Sequence, residues 1–113
     1  MEILGLASVL PVDDVAAAAK TWAALLGAAP TFVDGDRWAQ FDVGGRRIAL
    51  AGTDRVSNLP GLMIKVADLA AARASAEAEG LTVGPIQEGP HERRCLVEAP
   101  GGWPLVLYSA RPA

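Results

Sequence analysis

The chain repeats itself, and the repeat narrows the possible folds more than any other feature. Residues 9–18, VLPVDDVAAA, align with residues 63–72, MIKVADLAAA, at one constant offset. Val12 falls on Val66, Asp14 on Asp68, and Ala16, Ala17 and Ala18 on Ala70, Ala71 and Ala72. Each copy passes from an apolar strand through a carboxylate into a helix. A chain of 113 residues has room for one compact domain, so that domain is expected to be two copies of a small unit.

Asp13 or Asp14 and Asp68 are natural N-caps, and Gly27 and Gly80 close the helices. In the first helix Val15, Ala18, Trp22 and Leu25 or Leu26 recur at spacings of three and four, which predicts one buried stripe and makes Trp22 a core residue. Three strand-like runs follow each helix: 29–33, 37–43 and 46–51 in the first copy, 81–88, 91–98 and 103–109 in the second. Asp34-Gly35-Asp36, Gly44-Gly45, Gly89-Pro90 and Pro100-Gly101-Gly102 supply the turns. The order is strand, helix and three strands, twice over, with module one at 1–52, a polar linker at 53–60 and module two at 61–113. The expected fold class is α+β: two tandem βαβββ modules forming a curled mixed sheet around a shared cleft.

The formal charge of −3 is spread along the chain, and the concentrated basic face that nucleic acid requires is missing. No stretch approaches the roughly 18 unbroken apolar residues of a membrane span. MEILGLASVL has no basic region before its apolar run, so it reads as a first strand rather than a secretion signal, and a cytoplasmic location is expected. Cys95 is the single cysteine, flanked by Leu96 and Val97, and reads as a buried structural thiol.

The segments LPVDDVAAAAKTWAALLG, RWAQFDVGGRRIAL, LMIKVADLAAARASAEAEG and VEAPGGWPLVLYS together span almost the whole chain. In this combination the sequence resembles the vicinal oxygen chelate superfamily, the glyoxalase, bleomycin resistance and dioxygenase group. The resemblance implies paired βαβββ modules around a cleft, often with a metal at its centre and often within a dimer. It also implies His or carboxylate ligands on the first and last strand of each module. Carried onto this sequence, those four places are Ala7, Ala49, Gly61 and Val106, and none offers a nitrogen or oxygen donor. No metal and no cofactor is therefore expected. His91, the single histidine, follows a Gly-Pro turn, and the carboxylates Asp42, Glu88, Glu92 and Glu98 fall near turns or strand ends without converging.

Strand alternation then assigns faces. Ala39, Phe41 and Val43 should meet the first helix, which turns Trp38 and Gln40 the other way. Cys95 and Val97 should meet the second, which turns Arg94 and Leu96 away from it. Trp103, Leu105 and Leu107 belong to the core face, leaving Val106 and Tyr108 opposite. With Val9, Ala49 and Met63 these form the expected ligand-binding set: Val9, Trp38, Gln40, Ala49, Met63, Arg94, Leu96, Val106 and Tyr108. Apolar walls with a few placed polar groups suit a small organic molecule. A competing structural reading gives Trp38 a seam or dimer contact instead.

The leading expectation is metal-independent binding of a hydrophobic or aromatic small molecule, with antibiotic sequestration as its role, in a homodimer with no nucleic-acid or membrane partner and with no catalytic residue. The alternative is an enzyme of the superfamily, a lyase, isomerase or dioxygenase, using a displaced metal or acid–base help from His91, Glu92 or Arg94. A third reading makes the cleft an interaction surface within a larger complex.

Overall fold

The computed structural model describes residues 1–111. Among them the fold is α+β, with two helices and a mixed, open sheet of nine strands. The chain divides into two compact units: Ala7–Pro60, and Met1–Leu6 together with the described residues from Gly61 onward. The six N-terminal residues thus join the second unit rather than the first, and the long strand β1 (Ile3–Pro11) contributes to both.

In the Ala7–Pro60 unit, β1 leads into helix α1 (Val15–Leu26), followed by β2 (Phe32–Asp34), β3 (Trp38–Val43) and β4 (Arg46–Ala51), in the spatial order β2-β3-β4-β1. Asp14 caps α1 by accepting from the backbone N–H of Ala17 at 3.0 Å, and Gly27 ends it in the left-handed conformation. Gly44 and Gly45, at φ 58° and 75°, form the β3–β4 turn; two successive positive φ values match the twist of a two-residue hairpin and exclude most L side chains. Val15 and Ala19 from α1 pack on Ala39, Phe41 and Leu50, with Leu10, Trp22 and Leu26 against them. The stripe ends on Leu26; Leu25 is turned to solvent.

In the other unit, β5 (Gly61–Val66) precedes helix α2 (Leu69–Ala78), then come β6 (Thr82–Val83), β7 (Gln87–Glu88), β8 (Glu92–Glu98) and β9 (Pro104–Ala110), in the order β1-β5-β9-β8-β6 with β7 also on β8. Asp68 caps α2 through the N–H of Ala71 at 3.1 Å. Leu69, Ala72 and Ala76 pack on Val66, Cys95, Val97 and Leu107, so small helix residues admit a close approach to the sheet.

Several expectations require correction. Val43 does not meet the first helix: at the end of β3 it is exposed and belongs to neither helix-packed cluster, and the run 29–33 is a strand only over Phe32–Asp34. The run 81–88 is two short strands, because Gly84 sits close over Leu96, its N–H bonded to the Leu96 carbonyl at 2.8 Å, and Pro85 behind it brings no N–H to continue the ladder. Trp103 is not on the core face: it precedes β9 and is 58% exposed, lying against the Gly101 backbone of the preceding turn. Pro104 begins the strand in its place. No helix among the described residues is long and apolar enough to cross a membrane.

Candidate functional site

Each unit has one sheet face covered by its helix and one free of it. Register fixes which side chains share the free face, because residues paired directly across a sheet point the same way. In the Ala7–Pro60 unit, Phe32, Gln40, Ala49 and Val9 form one row across β2, β3, β4 and β1. Asp34, Trp38, Ala51 and Pro11 form the next row, and Asp42, Arg47 and Ala7 a third. In the other unit, Leu96, Val106 and Met63 form a row across β8, β9 and β5. Gln87, Arg94, Tyr108 and Lys65 form the row beside it.

The two units repeat this pattern at the level of pairing. Gln40–Ala49–Val9 in one corresponds to Leu96–Val106–Met63 in the other, strand for strand. Trp38 corresponds in the same way to Arg94, and Ala51 to Tyr108. All nine residues of the expected set therefore lie on the helix-free face of their own unit.

Their exposure divides them. Ala49 is 1% exposed, and Met63 and Val106 are buried although they belong to neither helix-packed cluster. Val9, Trp38, Gln40, Arg94, Leu96 and Tyr108 are half-buried, and these present the accessible surface. The Trp38 indole donates from Nε1 to Oε1 of Gln40 at 3.4 Å. Arg94 Nη1 lies 3.9 Å from Oε1 of Glu92, with only 19% of the arginine side chain exposed.

Of the residues beyond the expected set on these faces, three adjoin its polar and apolar members. Phe32, 51% exposed, stands beside Gln40 on the edge strand β2. Lys65 follows Met63 by two residues, so alternation alone places it beside Tyr108. Gln87 faces Arg94, and nothing in the sequence signals it because the break at Gly84-Pro85 resets the alternation.

Asp42 accepts from Arg47 Nε at 2.8 Å and from the Thr31 hydroxyl at 2.6 Å, and these donors hold its carboxyl below the usual range, the Arg47 bond first. Glu88 pairs with Arg93 Nε at 2.8 Å. His91 is exposed in the bend before β8. Burial pushes the Cys95 thiol up, with the positive charge of Arg73 opposing it.

A metal ion does not fit the four positions that the resemblance implies. Ala7, Ala49 and Val106 carry only hydrocarbon, and Gly61 has no room for any side chain: a Cβ there would overlap the Pro104 carbonyl oxygen and lie 2.7 Å from Pro104 Cγ. Among the described residues no three His, Cys, Asp or Glu side chains come together as a metal-binding group.

Solved structures share this architecture. A chain solved as an NAD-dependent benzaldehyde dehydrogenase from Legionella pneumophila matches with a TM-score of 0.86 at 13% identity, over 95% of this chain and 100% of that one. A glyoxalase/bleomycin resistance protein/dioxygenase superfamily member from Vibrio splendidus matches at 0.70 and 13% identity, over 94% and 98%. Methylmalonyl-CoA epimerase from Mycobacterium tuberculosis matches at 0.65 and 18% identity, over 97% and 90%. The structural neighbours thus include members of the glyoxalase, bleomycin resistance and dioxygenase superfamily, and the fold is the vicinal oxygen chelate type. Likeness at this level of identity concerns the fold alone. No family model matches the sequence, and no curated protein does.

Proposed function

We propose that the protein binds a hydrophobic or aromatic small molecule on its helix-free sheet faces, without a metal ion, and that its role is to sequester that molecule. The superfamily whose fold it shares includes both enzymes and binding proteins. One observation carries the choice between them: the rows Gln40–Ala49–Val9 and Leu96–Val106–Met63, which hold the equivalent central places in the two units, consist of hydrocarbon and one amide. Neither chelation nor proton transfer is within the chemistry of those groups.

The side chains around these rows suit recognition. An aromatic ligand stacked on Trp38 gains about 0.5–1.5 kcal/mol beyond its buried area. Burying some ~300 Å² of apolar ligand surface contributes several kcal/mol more before entropic losses, enough for micromolar affinity. The acid–base alternative draws support from no comparable grouping, since His91 is exposed at a bend and Glu92 lies beside Arg94.

Two measurements test the reading together. Protein purified without chelators is expected to contain no stoichiometric zinc, iron, nickel or manganese. Titration with planar aromatic compounds is expected to change tryptophan emission, and Trp38→Ala to abolish that response. A full equivalent of tightly held metal, or a response that survives Trp38→Ala, overturns it.

A further inference from the structure

β1 outruns the strand beside it. β4 pairs with it only from Ala7 to Pro11, because the Gly44-Gly45 turn returns the chain to β3 before β4 can reach further. The first part of β1, Ile3–Leu6, has β5 along one flank, where the Ala67 N–H donates to the Glu2 carbonyl at 3.1 Å. Among the described residues no strand lies along the other flank of that stretch, which is therefore an open sheet edge.

An open edge is a template for another strand, and proteins commonly blunt it with a lysine or a proline. Ile3–Leu6 carries neither. Ile3, Leu4 and Leu6 are instead 55%, 56% and 59% exposed, and alternation sets Leu4 and Leu6 on one face of the strand and Ile3 on the other. Together they leave on the order of 300 Å² of apolar surface in water, the size at which a patch marks an interaction site. The nearest charge along the strand is Glu2, at its start.

We propose that this edge pairs with the same edge of a second copy of the chain, across a two-fold axis at Leu4. The proposal is independent of the binding role above. Antiparallel strands set against each other residues that point the same way, so an axis at Leu4 places Leu4 against the partner's Leu4 and Ile3 against the partner's Gly5. Gly5 leaves room for that isoleucine, since a Cβ added there would meet only the Lys65 Cβ, at 3.7 Å. The stretch is thus complementary to itself, large residue to small, which is what singles out a second copy as its occupant. The two Glu2 residues come to lie about 13 Å apart along the strands, four residues of rise, beyond the ~8 Å Debye length of physiological salt, so they do not oppose the pairing. β4 lies alongside β1 from Ala7 onward, so the pairing ends there and the assembly closes at two chains. The apolar patch is less than half of the ~800 Å² that each partner of a standard interface buries, and a dimer dissociating in the micromolar range is expected.

Sedimentation velocity of the full chain, from low micromolar to submillimolar concentration, tests this. The unaltered protein is expected to pass from monomer to dimer. Leu4→Lys and Leu4→Glu are each expected to raise the dissociation constant at least about tenfold, because like charges then face each other across the axis. An equimolar mixture of those two variants is expected to recover the dimer. Gly5→Leu adds apolar surface but fills the room for Ile3, and it should weaken association, while Leu25→Lys on the exposed side of α1 should leave it unchanged. Far-UV circular dichroism shows that each variant is folded, and should Gly5→Leu not fold, the mixing experiment decides alone. A protein that stays monomeric throughout, a dimer untouched by both Leu4 variants, a mixture no heavier than its components, or a Gly5→Leu dimer tighter than the original overturns the proposal. So does a monomer that sediments with phosphatidylcholine vesicles through Leu4, which would give the patch to a lipid surface.

Discussion

Trp38 Nε1 donates to Gln40 Oε1 across 3.4 Å, so the indole and the amide on the same face of β3 are tied to each other. The bond is long and weak, but it engages the amide oxygen and leaves the NH2 group as the amide's donor. Trp38→Phe keeps an aromatic face and deletes the tie. Its expected effect on aromatic binding is a loss of about two- to fivefold, the scale of one weak hydrogen bond, against near-complete loss for Trp38→Ala. Calorimetric titration of the two variants distinguishes these outcomes, and equal losses would remove any role for the tie.

Gly61→Ala tests how tightly β5 lies against Pro104. The added methyl meets the Pro104 carbonyl oxygen, which belongs to backbone and cannot swing aside. A loss of at least about 2 kcal/mol is expected, seen as a lower urea midpoint at unchanged slope. A neutral result would mean that β5 and β9 separate easily at that end.

Asp42 should report on acid stability. Its carboxyl is held below its ordinary pKa by Arg47 and then Thr31, so its contribution is fully present above the unfolded carboxyl's range and fades as pH falls through the depressed value. The thermal midpoint of Asp42→Asn should accordingly fall below that of the unaltered protein at neutral pH. The gap should close on acidification. A gap constant across pH would assign the effect to shape rather than charge.

Cys95 is 1% exposed and its thiol is pushed up by burial. The neutral form is favoured in the folded protein, so its contribution holds below the unfolded thiol's range and is lost as pH rises through the raised value. Reaction with a disulfide reagent at neutral pH should be slow until denaturant is added. Cys95→Ala should destabilise by about 1 kcal/mol, the scale of one methylene-sized void beneath α2.

Asp14→Ala removes the acceptor for the Ala17 N–H, and an N-cap loss of about 1 kcal/mol lowers the midpoint by roughly 4–8 °C in a domain of this size. Asp68→Ala should behave alike, since Asp68 meets Ala71 at nearly the same distance.

Much of the fold was legible because local chemistry and the repeat agree: the two Asp caps, the Gly44-Gly45 turn and the alternation through Ala39 and Phe41 each announce one geometry. The face assignments of all nine candidate residues followed from alternation, which pairing then fixed. Legibility failed where the backbone leaves the simple pattern. Gly84-Pro85 interrupts a run whose composition reads as one strand, and Trp103 is drawn to the Gly101 turn rather than to the core. Lys65 was readable from Met63 but carries a charge that an apolar pattern overlooks. Burial of Ala49 could not be read at all, because alternation gives direction and says nothing of what covers a side chain.

Because β1 gives Ile3–Leu6 to one unit and Ala7–Pro11 to the other, the boundary of the sequence repeat and the boundary of the folded bodies do not coincide. A fragment starting at Gly61 would leave one flank of β5 bare, where Glu2 now accepts from the Ala67 N–H at 3.1 Å. Supplying the missing stretch as a synthetic peptide should let such a fragment fold, so split-protein reconstitution belongs at the Leu6–Ala7 junction and not in the polar linker alone.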